Sequence, residues 1–320
     1  MERRNRDWSL TDGLTAGLGG PKMGVFFERC QRSVPWDQLG NSIRTLFDDS
    51  KPGKGGRPHW PLVTMVKCLM LQKWFNLSDP QLEEMLKDRL SFRRFVGLSL
   101  EDDTPDETTF VVFRRRLRET GHDRTLFATT TEILKGQGLI VSEGTLVDAT
   151  IIGAPRGRTK ADGTSTRDPE ASYTKKSGQI RHGYKGHLAT DRRGVIKDFR
   201  FTTAKTHESQ HMDEMIEDET VAVFADSAYM DQRREERLTR RGVYYGIVKR
   251  RGRGQPELSF AQKFINRTCS VIRAVVEHPF AWMKNMGYGR ARYRGLIRNA
   301  LDFALMATAY NWKRSFSLVP

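Results

Sequence analysis

Three carboxylates stand where an acidic side chain needs a reason. Asp148 interrupts the apolar, β-branched run Thr145-Leu146-Val147-Asp148-Ala149-Thr150, and a charge in the middle of a strand is costly to bury unless a cation or hydrogen bonds compensate it. Asp226 closes a second run, Val221-Ala222-Val223-Phe224-Ala225, where the strand gives way to Ser227-Ala228-Tyr229. Ligands of open α/β sheets gather at such strand ends. Either aspartate alone reads as a turn cap or an arginine's partner; the two together point to a shared cation. Glu277 is the third. At about 100° per residue, Arg273, Glu277 and Lys284 fall within about 40° of one another and form one stripe. Phe264, Val271, Val275 and Trp282 form a second, nearly opposite. The pattern predicts a helix that packs by its apolar stripe and aims Arg, Glu and Lys at one place. The plain alternative is a surface row of ion pairs, worth a few tenths of a kcal/mol each. Pro279 lies inside this helix and frees the carbonyl of Val275, which predicts a kink around Glu277.

Three carboxylates suit Mg²⁺, with Mn²⁺ as a substitute, because a hard cation prefers oxygen ligands and completes its shell with waters and phosphate oxygens. Two such ions about 3.5–4 Å apart activate the attacking oxygen and stabilise the leaving one during in-line displacement at phosphorus. On this reading Asp148, Asp226 and Glu277 are the metal ligands, with Asp148 the bridging one, while Arg273 and Lys284 counter charge on phosphate or carboxylates.

The elements that must hold these residues follow from the pattern. From Leu139 onwards, β-branched runs at Thr145–Ile151, Tyr184–Thr190 and Val195–Thr203 read as a three-strand meander, turning at Asp191-Arg192-Arg193-Gly194. A polar helix around Glu208–Glu217, a strand Thr220–Ala225, a helix Gln232–Arg241, a strand Tyr244–Val248 and a long helix Phe260–Met286 follow. That order is the one expected of an α/β, RNase H-like domain with a mixed sheet and flanking helices. The polar stretch Gly153–Gln179 is expected to be a long mobile loop. Upstream, Leu62, Val66, Leu69 and Met70 recur at helical spacing, and Ser78-x-x-Gln81 and Thr104-x-x-Glu107 both read as capping boxes. Pro105 and Gly121 bracket a helix carrying Phe110, Phe113 and Leu117, and another is expected from Asp123 to Lys135. The domains expected are 1–57, an N-terminal segment with a glycine-rich patch and a basic linker; 58–138, an all-helical module that binds DNA; and 139–320, the catalytic domain. Its last helix, Leu296–Trp312, is read as core packing or a dimer contact.

The formal net charge of +15 favours a polyanionic partner and leaves the fold open. No run approaches the roughly 18 apolar residues of a membrane span, and the polar start, Met1-Glu2-Arg3-Arg4, has no export signal, so a cytosolic protein with no membrane partner is expected. Cys30, Cys68 and Cys269 fit neither a disulfide framework nor a metal knuckle. Basic residues mixed with tyrosines in 233–253 and 290–298 suit phosphate contact and base stacking, with Arg290, Arg292 and Arg294 as candidates. Arg93, Arg94, Arg114, Arg115 and Arg118 are candidates in the helical module. His182 and Lys185, with His207, are read as touching DNA phosphate; a zinc site built from His182, His187, His207 and His211 lacks an obvious further ligand.

At these residues the chain resembles transposases of the bacterial insertion-sequence family 5 group. The resemblance runs through Val147-Asp148-Ala149-Thr150, Gly183-Tyr184-Lys185-Gly186-His187, Ala225-Asp226-Ser227-Ala228-Tyr229 and Val276-Glu277-His278-Pro279-Phe280 to Tyr293-Arg294-Gly295-Leu296. The related signature Tyr-x2-Arg-x3-Glu-x6-Lys falls on Arg273, Glu277 and Lys284, with Ser270 at the tyrosine position. From Asp226 to Glu277 is 277 − 226 = 51 positions, too few for a large inserted domain. The resemblance implies an RNase H-like domain with Asp, Asp and Glu ligands. It also implies an enzyme that binds terminal inverted repeats, cleaves there and joins the 3′-OH to target DNA, and a homodimer is expected in the active complex. Its rivals are a plain RNase H-like nuclease and an idle DNA-binding relic, the second disfavoured by the intact triad.

Overall fold

The structure is a computed structural model that describes residues 21–47, 58–176, 178–251 and 256–319. The glycine patch at 13–20 and the basic stretch 51–57 lie outside these residues. The chain divides into two compact units, Met1–Thr130 with Ala304–Pro320, and Thr131–Phe303.

The first unit is helical: α1 (Pro21–Ser33), α2 (Trp36–Ser42), a 3₁₀ turn (Arg44–Phe47), α3 (Leu62–Trp74), α4 (Asp79–Asp88), α5 (Leu90–Val96), α6 (Glu107–Glu119) and the start of α7 (Thr125–Gly136). Helix α3 is buried along nearly its whole circumference, so it forms the unit's centre. The capping box at Ser78 and Gln81 starts α4. The one read at Thr104 does not form. Asp106 caps α6 instead, its carboxylate accepting from Thr109 N at 2.6 Å, and Pro105 stands before the helix rather than in its first turn. An aspartate next to the helix outcompetes a threonine two residues further off, because its charge also favours the helix N-terminus.

The second unit contains a six-stranded mixed sheet of β1 (Thr145–Gly153), β2 (Ser172–Lys176), β3 (Gln179–Thr190), β4 (Ile196–Thr203), β5 (Ala222–Ala225) and β6 (Tyr244–Ile247). Strand β3 pairs antiparallel with β1, β2 and β4, while β5 runs parallel to β1 and to β6. Helix α8 (Gln232–Arg240) connects β5 to β6, and α9 (Phe260–Arg273), α10 (Glu277–Asn285) and the start of α11 (Leu296–Ser315) follow, the rest of α11 from Ala304 belonging to the first unit. This is the RNase H-like arrangement. Alternation along β1 divides the sheet into two faces. Val147 packs with Ala189, Met212, Met215, Val223, Tyr229 and Leu238 on one. Asp148 pairs with Leu188, and Leu188 with Phe199, on the other.

Two glycines of the Gly183–His187 stretch have steric reasons. At Gly183 (φ +157°) a Cβ would lie 2.1 Å from the Ile152 carbonyl oxygen, and at Gly186 it would lie 2.7 Å from the Phe303 ring.

Three further expectations need correcting. The stretch 153–179 is not one free loop: it contains β2, and Asp168 and Glu170 accept the backbone N–H groups of Gly295 (2.9 Å) and Leu296 (2.6 Å). The polar helix at 208–217 is replaced by two 3₁₀ turns, Glu208–His211 and Asp213–Met215. Met212 and Met215, three apart, both enter the core there, as the tighter winding allows, and Arg234 takes the Ser209 carbonyl at 2.8 Å. The long helix 260–286 is broken by a 3₁₀ turn at Ala274–Val276. Its buried stripe is Cys269, Val276, Phe280 and Met283, while Phe264 and Val271 are 65% and 70% exposed. Arg267 lies within about 60° of both exposed residues, so packing by that side would bury its charge.

Candidate active site

The arrangement begins with strand register. Val147 of β1 is opposite Ala225 of β5, so Asp226, one residue on, stands next to Asp148 at the point where β5 ends. Asp226 then caps the 3₁₀ turn Ser227–Tyr229, accepting from Ser227 N and, at 2.9 Å, from Ser227 Oγ. That hydroxyl in turn accepts from Arg250 Nε at 2.7 Å. Asp148 Oδ1 accepts from Ala149 N at 2.8 Å.

The third carboxylate arrives from the broken helix. Arg273, the last residue of α9, donates through Nη1 to Asp148 Oδ2 at 3.0 Å, and its Nη2 lies 3.4 Å from Glu277 Oε1. Asp148 and Arg273 are about one-fifth exposed, whereas the Glu277 side chain is 59% exposed. Asp148 and Arg273 are thus partly enclosed, while Glu277 faces solvent. Lys284 is exposed on α10, and no ion pair joins it to the three acids among the described residues.

The donor chemistry fits a hard divalent cation: carboxylates on two adjacent strands, with a third on a helix one salt bridge away. Among the described residues, no three His, Cys, Asp or Glu side chains are drawn together tightly enough to hold an ion. The Arg273 guanidinium instead supplies positive charge to Asp148 and Glu277.

Sequence reading missed two neighbours of the triad. Tyr229 is fully buried, and its phenol is pushed well above the usual range, first by burial and then by the charges of Glu208, Asp148 and Asp226, with Arg273 opposing. It therefore stays protonated. Glu208 lies 3.6 Å from Lys185 Nζ. Tyr229 stands in the Asp226–Tyr229 motif, which gives its hydroxyl no role by itself, and Glu208 sits in a polar stretch read as helix.

Several arginines and the basic pair of β3 stand elsewhere than expected. Arg93 is buried, its guanidinium bonded to the carbonyls of Leu86, Ser99, Leu100 and Asp102. Arg114 is buried against Asp79 and Gln72. Both hold the helical unit together and present no charge to a phosphate. His182 is buried, and Lys185 is buried with Glu208 and the Thr206 carbonyl (2.7 Å) as partners. Arg94, Arg115, Arg290 and Arg294 are exposed, and Arg118 and Arg292 half-buried. Arg115 lies 3.8 Å from Glu119, and Arg294 donates to the Arg167 carbonyl.

With this geometry in place, comparison with known families is direct. Residues 141–312 match the transposase DDE domain, and residues 21–116 match a further transposase domain, DUF772. The chain belongs to the DDE transposase family. Among solved structures, it is similar to the piggyBac transposase in its synaptic complex with hairpin DNA, with a TM-score of 0.47 and 10% identity over 95% of this chain and 76% of that one. No helix among the described residues is long and apolar enough to cross a membrane.

Proposed function

We propose that this transposase is of the insertion-sequence family 5 group, that it binds the element's terminal inverted repeats, cleaves the DNA there and joins the freed 3′-OH to target DNA. The observation that carries the reading is the Arg273 bridge, which ties Asp148 to Glu277 across 125 residues of sequence from Asp148 to the arginine, beside Asp226. Asp148, Asp226 and Glu277 would hold two Mg²⁺ ions, or Mn²⁺ in their place. Bound there, the ions would supply activation of the attacking oxygen and stabilisation of the leaving one. Asp148 and Asp226 fix the site to the rigid sheet, Glu277 closes it from the helix, and Arg273 balances charge among the acids. Lys284 and the exposed Arg94, Arg115, Arg290 and Arg294, with Arg118 and Arg292, are the proposed phosphate contacts. Two copies are proposed to act together, one on each end, in the bacterial cytosol, with the helical module 58–138 binding the ends and 139–320 performing the chemistry.

The test is strand cleavage of end DNA in Mg²⁺ and in Mn²⁺. Asp148→Asn, Asp226→Asn and Glu277→Gln are each expected to abolish cutting while leaving the fold and DNA affinity largely unchanged. Near wild-type cutting by all three would remove the site assignment.

A further inference from the structure

Among the described residues, two of the buried polar atoms that lack a hydrogen-bond partner belong to the acidic site and its border: the Tyr229 hydroxyl and Arg273 Nε. Arg273 ties Asp148 to Glu277, and Tyr229 ends the short turn that Asp226 caps. An unmade hydrogen bond on a buried group forfeits its hydration for nothing, so each such atom calls for an explanation.

Tyr229 is the more constrained of the two. Its N–H donates to the Asp226 carbonyl at 2.9 Å, and its own carbonyl accepts from Arg234 Nη1 at 2.8 Å and from the Tyr245 hydroxyl at 3.4 Å. Its ring is packed among Val147, Met212, Val223 and Leu238. Backbone and ring are thus fixed, and only the hydroxyl is left over. Phenylalanine would fill the same space without burying an unsatisfied oxygen. The groups within electrostatic reach of that hydroxyl are Glu208, Asp148 and Asp226, all acceptors, with the Arg273 cation among them.

We propose that Tyr229 is a positioning residue of the active site, its hydroxyl donating to the Asp226 carboxylate, directly or through one buried water, once divalent ions are bound. The donation would hold that carboxylate in the orientation the reaction uses. The idea rests on the strand-transfer reading above, and the experiment separates the two.

The full-length Tyr229→Phe protein is compared with wild type in three measurements: melting temperature without divalent ions, the Mn²⁺ concentration giving half-maximal thermal stabilisation without DNA, and single-turnover cleavage of end DNA at saturating Mg²⁺. The variant is expected to melt at the same temperature or a few degrees higher, to need severalfold more Mn²⁺, and to cleave about tenfold more slowly. A lower melting temperature would show that the hydroxyl already has a structural partner and would overturn the proposal. So would wild-type Mn²⁺ dependence. If wild type fails to cut while the variant still needs more Mn²⁺, the positioning role stands and the strand-transfer reading falls.

Discussion

Arg114 and Arg115 are adjacent in sequence and chemically identical, yet their surroundings give them opposite roles. Arg114 is buried in a two-pronged pair with Asp79, the side chains 7% and 18% exposed, whereas Arg115 lies on the surface, 3.8 Å from Glu119. Removing one member of a buried pair leaves an uncompensated charge and costs about 3–5 kcal/mol, while an exposed pair is worth about 1 kcal/mol or less. Arg114→Ala is therefore expected to lower the denaturation midpoint sharply, and Arg115→Ala to leave it nearly unchanged while reducing the salt dependence of DNA binding. Denaturant titrations and salt-dependent affinities decide; equal stability losses would contradict the assignment. The Asp79 carboxyl adds a pH signature. Burial opposes its ionisation, but the hydrogen bond and charge of Arg114, helped by Gln72 and Lys73, outweigh it and hold the carboxyl below the ordinary range. A depressed carboxylate stabilises the folded state fully above its unfolded value, about 3.9, and that contribution is lost as pH falls through the folded value.

At the scale of the element, the broken helix decides which residues reach the acids. With Cys269, Val276, Phe280 and Met283 buried, Arg273 and Glu277 flank the packed stripe instead of standing opposite it, and they come down beside β1. The 3₁₀ turn at Ala274–Val276 lies between them, with Pro279 just beyond; a proline has no N–H for the Val275 carbonyl to accept. Met283→Ala should cost about 2–5 kcal/mol, as core truncations do, while Val271→Ala should stay within about 0.5 kcal/mol of wild type. Urea midpoints measure both. A larger loss at Val271 would mean that the opposite stripe packs.

At the scale of the whole molecule, the formal charge of +15 draws the protein to any duplex, so affinity alone cannot separate a transposase from a nuclease. Joining can. It requires a cut 3′ end to be held beside a second duplex, which demands cations flanking the reacting groups, whereas hydrolysis needs only water. Lys284→Ala and Arg273→Ala are expected to impair joining of pre-cut ends to a plasmid more than they impair simple strand hydrolysis, and Glu277→Gln to lose both. Joined and nicked plasmids are counted on one gel. A wild-type protein that nicks freely but never joins, with paired ends supplied, would be a nuclease.

Local chemistry made the acids legible. An aspartate inside an apolar run, another at a strand end, and Arg and Glu four apart on a helix are patterns of a few residues, as is the Ser78–Gln81 capping box, and local patterns survive in a linear sequence. The strand grammar of the RNase H-like sheet was readable for the same reason. What only tertiary structure decided depends on partners distant along the chain. Arg93 and Arg94 cannot be told apart until the carbonyls at 99–102 close over one of them. Met212 and Met215 override helical polarity at 208–217 because a core waits beneath them. The stretch 260–286 carries two apolar stripes, and the one that packs leaves the charge of Arg267 in solvent. Tyr229 carries no periodic signal at all; its hydroxyl gains meaning from Glu208, Asp148 and Asp226, which the fold gathers from three separate segments.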